Sequence, residues 1–122
     1  MLFPTGRGAL NAEERGVPVI CQSGLCLSWA GISEGAFDLI TDYENSCYCK
    51  PNPAYYLDIC EKMDIAPTRC LMIGNNAEED IRAAQRAGLS TFLLTDCLIA
   101  EGEIPDTPKG SFPELIEFLA QL

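Results

Sequence analysis

Histidine is absent from the 122 residues, and cations are few: 8 lysines and arginines stand against 18 aspartates and glutamates, a formal charge of −10. The first absence removes Ser-His-Asp and Cys-His nucleophile activation, histidine-ligated zinc and a histidine pH switch together. Any catalysis has to use carboxylates, lysine, hydroxyls or thiols. The second shortage sets the field of the whole molecule against nucleic-acid phosphates and anionic lipid, so no nucleic acid and no membrane surface is expected as a partner. No apolar run approaches the ~20 residues of a membrane span. No signal peptide is recognised, and a soluble, cytoplasmic protein is expected.

Seven cysteines, Cys21, Cys26, Cys47, Cys49, Cys60, Cys70 and Cys97, are an odd number in a chain without a secretory signal. That argues for reduced thiols rather than a disulfide framework. Cys47-Tyr-Cys49 with Cys21 and Cys26 is a candidate zinc set, yet neither pair has the C-x-x-C spacing that closes on zinc. Buried or incidental thiols are the expectation. The hydrophobic fraction of 48% fills one core, and 122 residues give room for one domain rather than two.

From Phe37 onward, short apolar runs alternate with amphipathic stretches. Phe37 to Thr41, Cys70 to Gly74 and Ser90 to Thr95 read as strands buried on both faces, which suits a parallel sheet covered by helices. Pro53 opens a helix running to about Met63, with Tyr56, Ile59, Cys60 and Met63 at helical spacing. A second helix, about Ala77 to Ala87, begins with Glu78, Glu79 and Asp80 against its positive end and stops at Gly88. A third, Phe112 to Leu122, follows a loop from Glu101 to Gly110 whose prolines and glycines predict irregular structure. Before these, Val17 to Gln22 is a weak strand that Pro18 demotes to an edge. Residues 1–26 form a poorly defined segment, and 27–122 the better-defined α/β part. Right-handed crossovers arrange this order as a three-layer α/β fold with a parallel sheet.

Two short motifs carry chemistry. The first is Cys49-Lys50-Pro51-Asn52-Pro53, a lysine on a proline-stiffened loop just before a helix; the second runs from Leu71 through Gly74-Asn75-Asn76 to Asp80, a buried strand ending in a turn with carboxylates one helical turn on. A lysine and a strand-end carboxylate cluster are equipment for a phosphoryl group and Mg²⁺. Here the sequence resembles the haloacid dehalogenase (HAD) superfamily of phosphohydrolases. Its third motif is K-P-x-P, and its fourth is an apolar strand followed by G-D/N-x-x-x-x-D. Trp29-Ala30-Gly31, Phe37 to Glu44 and Ala87 to Asp96 also look like this family.

The resemblance implies a HAD-like, Rossmann-like core and a Mg²⁺-dependent phosphatase acting on a small phosphorylated metabolite. It implies Lys50 as a catalytic and substrate-binding lysine, Asn52 beside it in substrate binding, and Asn75, Asn76 and Asp80 as the metal region. Asn75 and Asn76 stand where the family usually has an aspartate, so weak Mg²⁺ binding is expected. The plain alternative for Glu78, Glu79 and Asp80 is a favourable helix N-terminus. The family's nucleophile motif, D-x-D, occurs nowhere in the chain. Ser23 is one candidate for the second motif; the other is that Leu2-Phe3-Pro4 is the remnant of a T-N-x-x-F-P version of it. The expectation is a carboxyl-terminal half without nucleophile strand and cap, inactive by itself, with Asp42 and Asp96 the first suspects should a substitute nucleophile exist. A missing central strand would leave the Arg69 to Ile73 edge open for self-association or a strand-supplying partner unless Val17 to Gln22 fills it. The alternative function is a non-catalytic module pairing through that edge.

Overall fold

Cys70–Gly74 sends its side chains to opposite faces of a sheet with the period of two that a strand imposes. Cys70 and Met72 pack with Tyr55, Tyr56, Ile59, Cys60, Ala83 and Ala84 on one face, while Leu71 and Ile73 pack with Phe92 and Leu115 on the other. The first set comes from two helices and the second from a third helix and the neighbouring strand, so three layers form around one sheet. Leu71 is 1% exposed, and truncating a leucine so placed costs ~2–5 kcal/mol through lost burial and the cavity left behind.

The computed structural model describes residues 2–4, 20–22, 39–41 and 46–121. Its strands are β1 (Leu2–Pro4), β2 (Ile20–Gln22), β3 (Leu39–Thr41), β4 (Cys70–Gly74), β5 (Ser90–Leu94) and β6 (Lys109–Gly110), and the sheet order is β3-β2-β1-β4-β5-β6. β4, β5 and β6 are mutually parallel, with Ile73 opposite Phe92 and Leu94 opposite Gly110. The α/β three-layer architecture expected from the apolar runs is therefore present. Among the described residues no helix is long and apolar enough to cross a membrane.

Helix α1 (Pro53–Lys62) has proline in its first turn and Asn52 as its cap, the Asn52 side chain accepting from Ala54 N at 2.9 Å. The Lys50–Pro51 peptide before it is cis. Helix α2 differs from the ordinary helix that its sequence predicts. Its first segment, Ala77–Arg82, is wound in wide π-type turns, and only Ala83–Arg86 is α-helical. Asn76 Oδ1 caps Glu78 N and Glu79 N, and Asn76 O accepts from both Asp80 N at 3.0 Å and Ile81 N at 3.3 Å, so the turn is shared between four- and five-residue spacing. The stop at Gly88 is as expected, with φ at +89°. Helix α3 (Phe112–Ala120) starts with a capping box in which Ser111 and Glu114 exchange side-chain and backbone bonds.

Three expectations about strands need correction. Lys109–Gly110 lies in the stretch predicted to be irregular, yet pairs with β5 through Leu93 N to Pro108 O and Thr95 N to Gly110 O, both 2.9 Å. Two residues are too few for any periodicity, and the bonds use backbone groups that proline retains. Ile20–Gln22 is no edge strand but lies between β3 and β1, pairing with both; Pro18 lies outside the described residues. The flank of β4 is not open: Leu2, Phe3 and Pro4 pair antiparallel with Met72, Leu71 and Cys70. Three extended residues with proline at the last pair suffice to cover it, and with the edge filled the argument for pairing with a second chain through β4 falls away.

Candidate active site

In open α/β sheets the carboxyl ends of parallel strands and the helix N-termini that follow them converge on one crevice. In this protein the convergence is built around Gly74, the last residue of β4. A Cβ placed there would lie 2.5 Å from Asp80 Cβ and Cγ. Only glycine lets the first turn of α2 fold back far enough to set Asp80 against the strand end. Asp80 is 5% exposed, and its two carboxylate oxygens have different partners. Oδ2 accepts from Asn76 N at 3.1 Å, while Oδ1 accepts from Lys50 Nζ at 2.6 Å.

Lys50 thus reaches across 30 positions of sequence to the residue that the second motif supplies. Its side chain is 19% exposed and that of Asp80 7%, so the carboxylate is sealed and the ammonium keeps one side toward solvent. Both line a cleft of about 430 Å³ together with Gly74, Asn75, Asp96 and Phe112. An ammonium neutralised from behind and open in front is suited to receive an oxyanion.

Tyr56 fixes the floor of this arrangement. Its ring is fully buried on α1, and its hydroxyl donates to Glu79 O at 2.7 Å, with Asp80 O 3.4 Å away. Burial pushes its phenol well above the usual tyrosine range, with the neighbouring Asp80 charge adding to the rise. The hydroxyl therefore stays a donor and ties the wide turns of α2 to α1. On the far wall, Asn75 Nδ2 donates to Cys97 O at 2.8 Å and Ile99 N donates to Asn75 O at 2.8 Å, locking the loop after β5 to the loop after β4. Asp96 Oδ2 accepts from Phe112 N at 2.7 Å, which joins the same loop to the start of α3.

The sequence-derived residues accordingly separate. Lys50, Asn75 and Asp80 meet at the cleft. Asn52 and Asn76 have their side-chain oxygens engaged as caps of α1 and α2 and do not line it. Ser23 and Asp42 lie outside the described residues, as does Cys26 of the candidate zinc set. Gly74 and Tyr56 have site roles that the sequence reading did not assign. Tyr56 carries a signal only as an apolar position of α1, because nothing in a sequence says where a hydroxyl points.

A small divalent cation of the Mg²⁺ type takes six oxygens in an octahedron and is ordinarily held by one or two carboxylates. Among the described residues the cleft offers Asp80, already shared between an ammonium and a backbone N–H, Asp96, whose Oδ2 is taken by Phe112 N, and neutral Asn75, while Asn76 Oδ1 accepts two N–H groups. Among the described residues no group of three or more His, Cys, Asp or Glu side chains could hold a metal. This donor set does not fit the ion.

Residues 47–109 match the family model described as HAD-hydrolase-like. A haloacid dehalogenase-like hydrolase domain-containing protein of Arabidopsis thaliana is 43% identical over 47 residues, covering 38% of this chain and 19% of that protein. Among solved structures, the 2-haloacid dehalogenase of Pseudomonas syringae is similar with a TM-score of 0.71 at 18% identity, over 92% of this chain and 50% of that one. A HAD phosphatase of Thermococcus onnurineus gives 0.64 at 21% identity, over 78% and 44%. The chain spans half or less of the length of each of these proteins.

Proposed function

Because the chain belongs to the HAD-hydrolase-like family, we propose that its cleft is the lysine-and-carboxylate half of a phosphate-ester hydrolase site, which binds a phosphoryl group but does not turn it over in this chain alone. The observation that carries the proposal is the Lys50–Asp80 contact of 2.6 Å at the carboxyl end of β4. Lys50 binds the phosphoryl oxygens of a small phosphorylated metabolite. Asp80 orients the ammonium and holds its charge when no anion is bound, and Gly74 and Tyr56 hold Asp80. The reduced thiols expected from the cysteine usage go with a cytoplasmic setting. Members of the family generally depend on Mg²⁺, but no step is assigned to the metal here because the donor set does not fit it.

The inactivity follows from magnitudes. A lysine about 4 Å from a phosphate contributes ~4 kcal/mol at an effective dielectric of 20. Phosphate monoester hydrolysis asks for accelerations up to ~10²¹, and deleting a nucleophile in another enzyme class costs on the order of 10⁶ in rate. With no D-x-D in the sequence, Lys50 and Asp80 stabilise a bound anion without providing an attacking group. Interaction through an open β4 edge is the weaker reading, since β1 pairs there.

The test combines binding and turnover. Inorganic phosphate titrated into the chain should perturb backbone resonances around Lys50 and Asp80, and Lys50→Ala should abolish that response. An aryl phosphate with Mg²⁺ should show no hydrolysis above background. Absence of phosphate binding would remove the proposal, and turnover lost in Lys50→Ala would reveal a nucleophile, with Asp96 the first to replace.

A further inference from the structure

Away from the cleft, at the opposite end of β4, two thiols face each other inside the core. Cys60 on α1 and Cys70 at the start of β4 are 2% and 5% exposed, and their sulfur atoms are 3.6 Å apart. Their surroundings are apolar: Met72, Leu89 and the alanines of α2 share the cluster. The phosphoryl site uses neither residue. Among the described residues Cys47, Cys49 and Cys97 are free and exposed, a second class of thiol.

We propose that Cys60 and Cys70 are a dithiol modification site at which a small peroxide forms an intramolecular disulfide between α1 and β4. In the first step the thiolate of one member of the pair, reached by the small peroxide, attacks a peroxide oxygen, giving a sulfenic acid and releasing water or alcohol. In the second step the sulfur of the other member displaces the sulfenic hydroxyl, which leaves as water, and the S–S bond forms. Two thiols lose two protons and two electrons, and hydrogen peroxide becomes two waters.

Three observations carry this. The sulfurs are in contact, so bond formation asks for an approach of about 1.5 Å to the ~2.05 Å of a disulfide, within reach of side-chain rotation and a small helix shift. The second thiol is the nearest sulfur to any sulfenic acid formed at the first, which favours a disulfide over further oxidation. The contact is between two thiols either of which can donate to the other, so a thiolate formed at one sulfur is stabilised by the S–H of its neighbour, while burial raises the Cys70 thiol. The bond would tie down the elements that present the cleft. α1 begins three residues after Lys50 and carries Tyr56, and β4 ends at Gly74.

The experiment treats the folded chain with hydrogen peroxide until Cys47, Cys49 and Cys97 no longer react with maleimide, then denatures, alkylates and maps peptides by mass spectrometry. The expected result is a Cys60–Cys70 linked peptide, 2 Da lighter than the two reduced peptides together and reversed by dithiothreitol, with a raised unfolding midpoint. The raised midpoint should be absent in Cys60→Ala. Recovery of Cys60 and Cys70 as alkylated thiols, as sulfinic acids, or linked to any other cysteine would overturn the proposal. The wild-type peptide map decides even if the alanine variant does not fold.

Discussion

Gly74→Ala should be destabilising, and the way its cost depends on residue 80 should reveal the cause. In an ordinary strand the change from glycine to alanine is favourable by roughly 0.5–1 kcal/mol, because the unfolded chain loses freedom. The φ of Gly74 is not positive, so its backbone tolerates a side chain. Space does not: the new Cβ meets Asp80 Cβ and Cγ at 2.5 Å as well as a carboxylate oxygen. Overpacking of this kind costs ~1–3 kcal/mol. Displacing Asp80 also weakens its bonds to Lys50 and Asn76 N. Breaking a buried pair costs about 3–5 kcal/mol, and allowing for the half-open side of Lys50 about 2 kcal/mol is a fairer share. The sum, less the strand gain, is about 2–4 kcal/mol, or roughly 10 °C in Tm for a domain of this size. Urea unfolding should then be repeated in two backgrounds. In Asp80→Ala the ion pair is gone but the Cβ contact remains, so the alanine at 74 should still cost about 1–3 kcal/mol. In Asp80→Gly the contact is gone, and Gly74→Ala should become neutral or favourable by up to ~1 kcal/mol. An equal cost in all three backgrounds would refute the claim that glycine is there to admit Asp80.

Tyr56→Phe leaves Glu79 O without its 2.7 Å donor and should cost about 1–2 kcal/mol in urea, with faster amide exchange in α2 and little change in α3. The same phenol makes stability pH-dependent. Its folded pKa is raised above the ordinary 10, so the folded state holds the proton more tightly than the unfolded one, and stability present below pH 10 should fall as pH rises beyond it. Tyr56→Phe should flatten that alkaline limb. Calorimetric titration with Mg²⁺ should give no submillimolar affinity, since the cleft carboxylates of Asp80 and Asp96 are already engaged by Lys50, Asn76 N and Phe112 N and the asparagines are neutral; such an affinity, lost in Asp80→Asn, would show a site that the donor count undervalues.

Most of the helical framework was legible in the sequence because it rests on local chemistry. Pro53 at the start of α1 and Gly88 after α2 act within one turn of themselves; the Ser111–Glu114 box at α3 is as local, though the sequence reading did not use it. β4 was legible because its five consecutive residues carry no polar side chain but a thiol, and β5 because Phe92, Leu93 and Leu94 follow the β-branched Thr91; such short runs have few other uses. Lys50 and Asp80 were found through the resemblance of their motifs; composition alone reads Asp80 as one more acid at a helix N-terminus. The π-type turns escaped because propensity does not encode whether a carbonyl such as Asn76 O takes the N–H four or five residues on. β1 escaped because Leu2–Pro4 is too short to show a pattern, and what makes it a strand is the vacancy beside β4, more than sixty residues away.

That distance has a kinetic consequence. Leu2 pairs with Met72, whereas β4, β5 and β6 with their helices are contiguous from Cys70 to Ala120. Closing a loop of about seventy residues is entropically dearer than any closure within the contiguous unit, and long-range pairings of this kind slow folding. The β1 flank of β4 should therefore form after the β5 flank. Successive N–H groups along β4 point alternately toward β5 and β1, so during refolding the first set should gain protection from exchange early and the second late. A single strand would then record both stages of assembly, residue by residue, in the order in which its two neighbours come to rest.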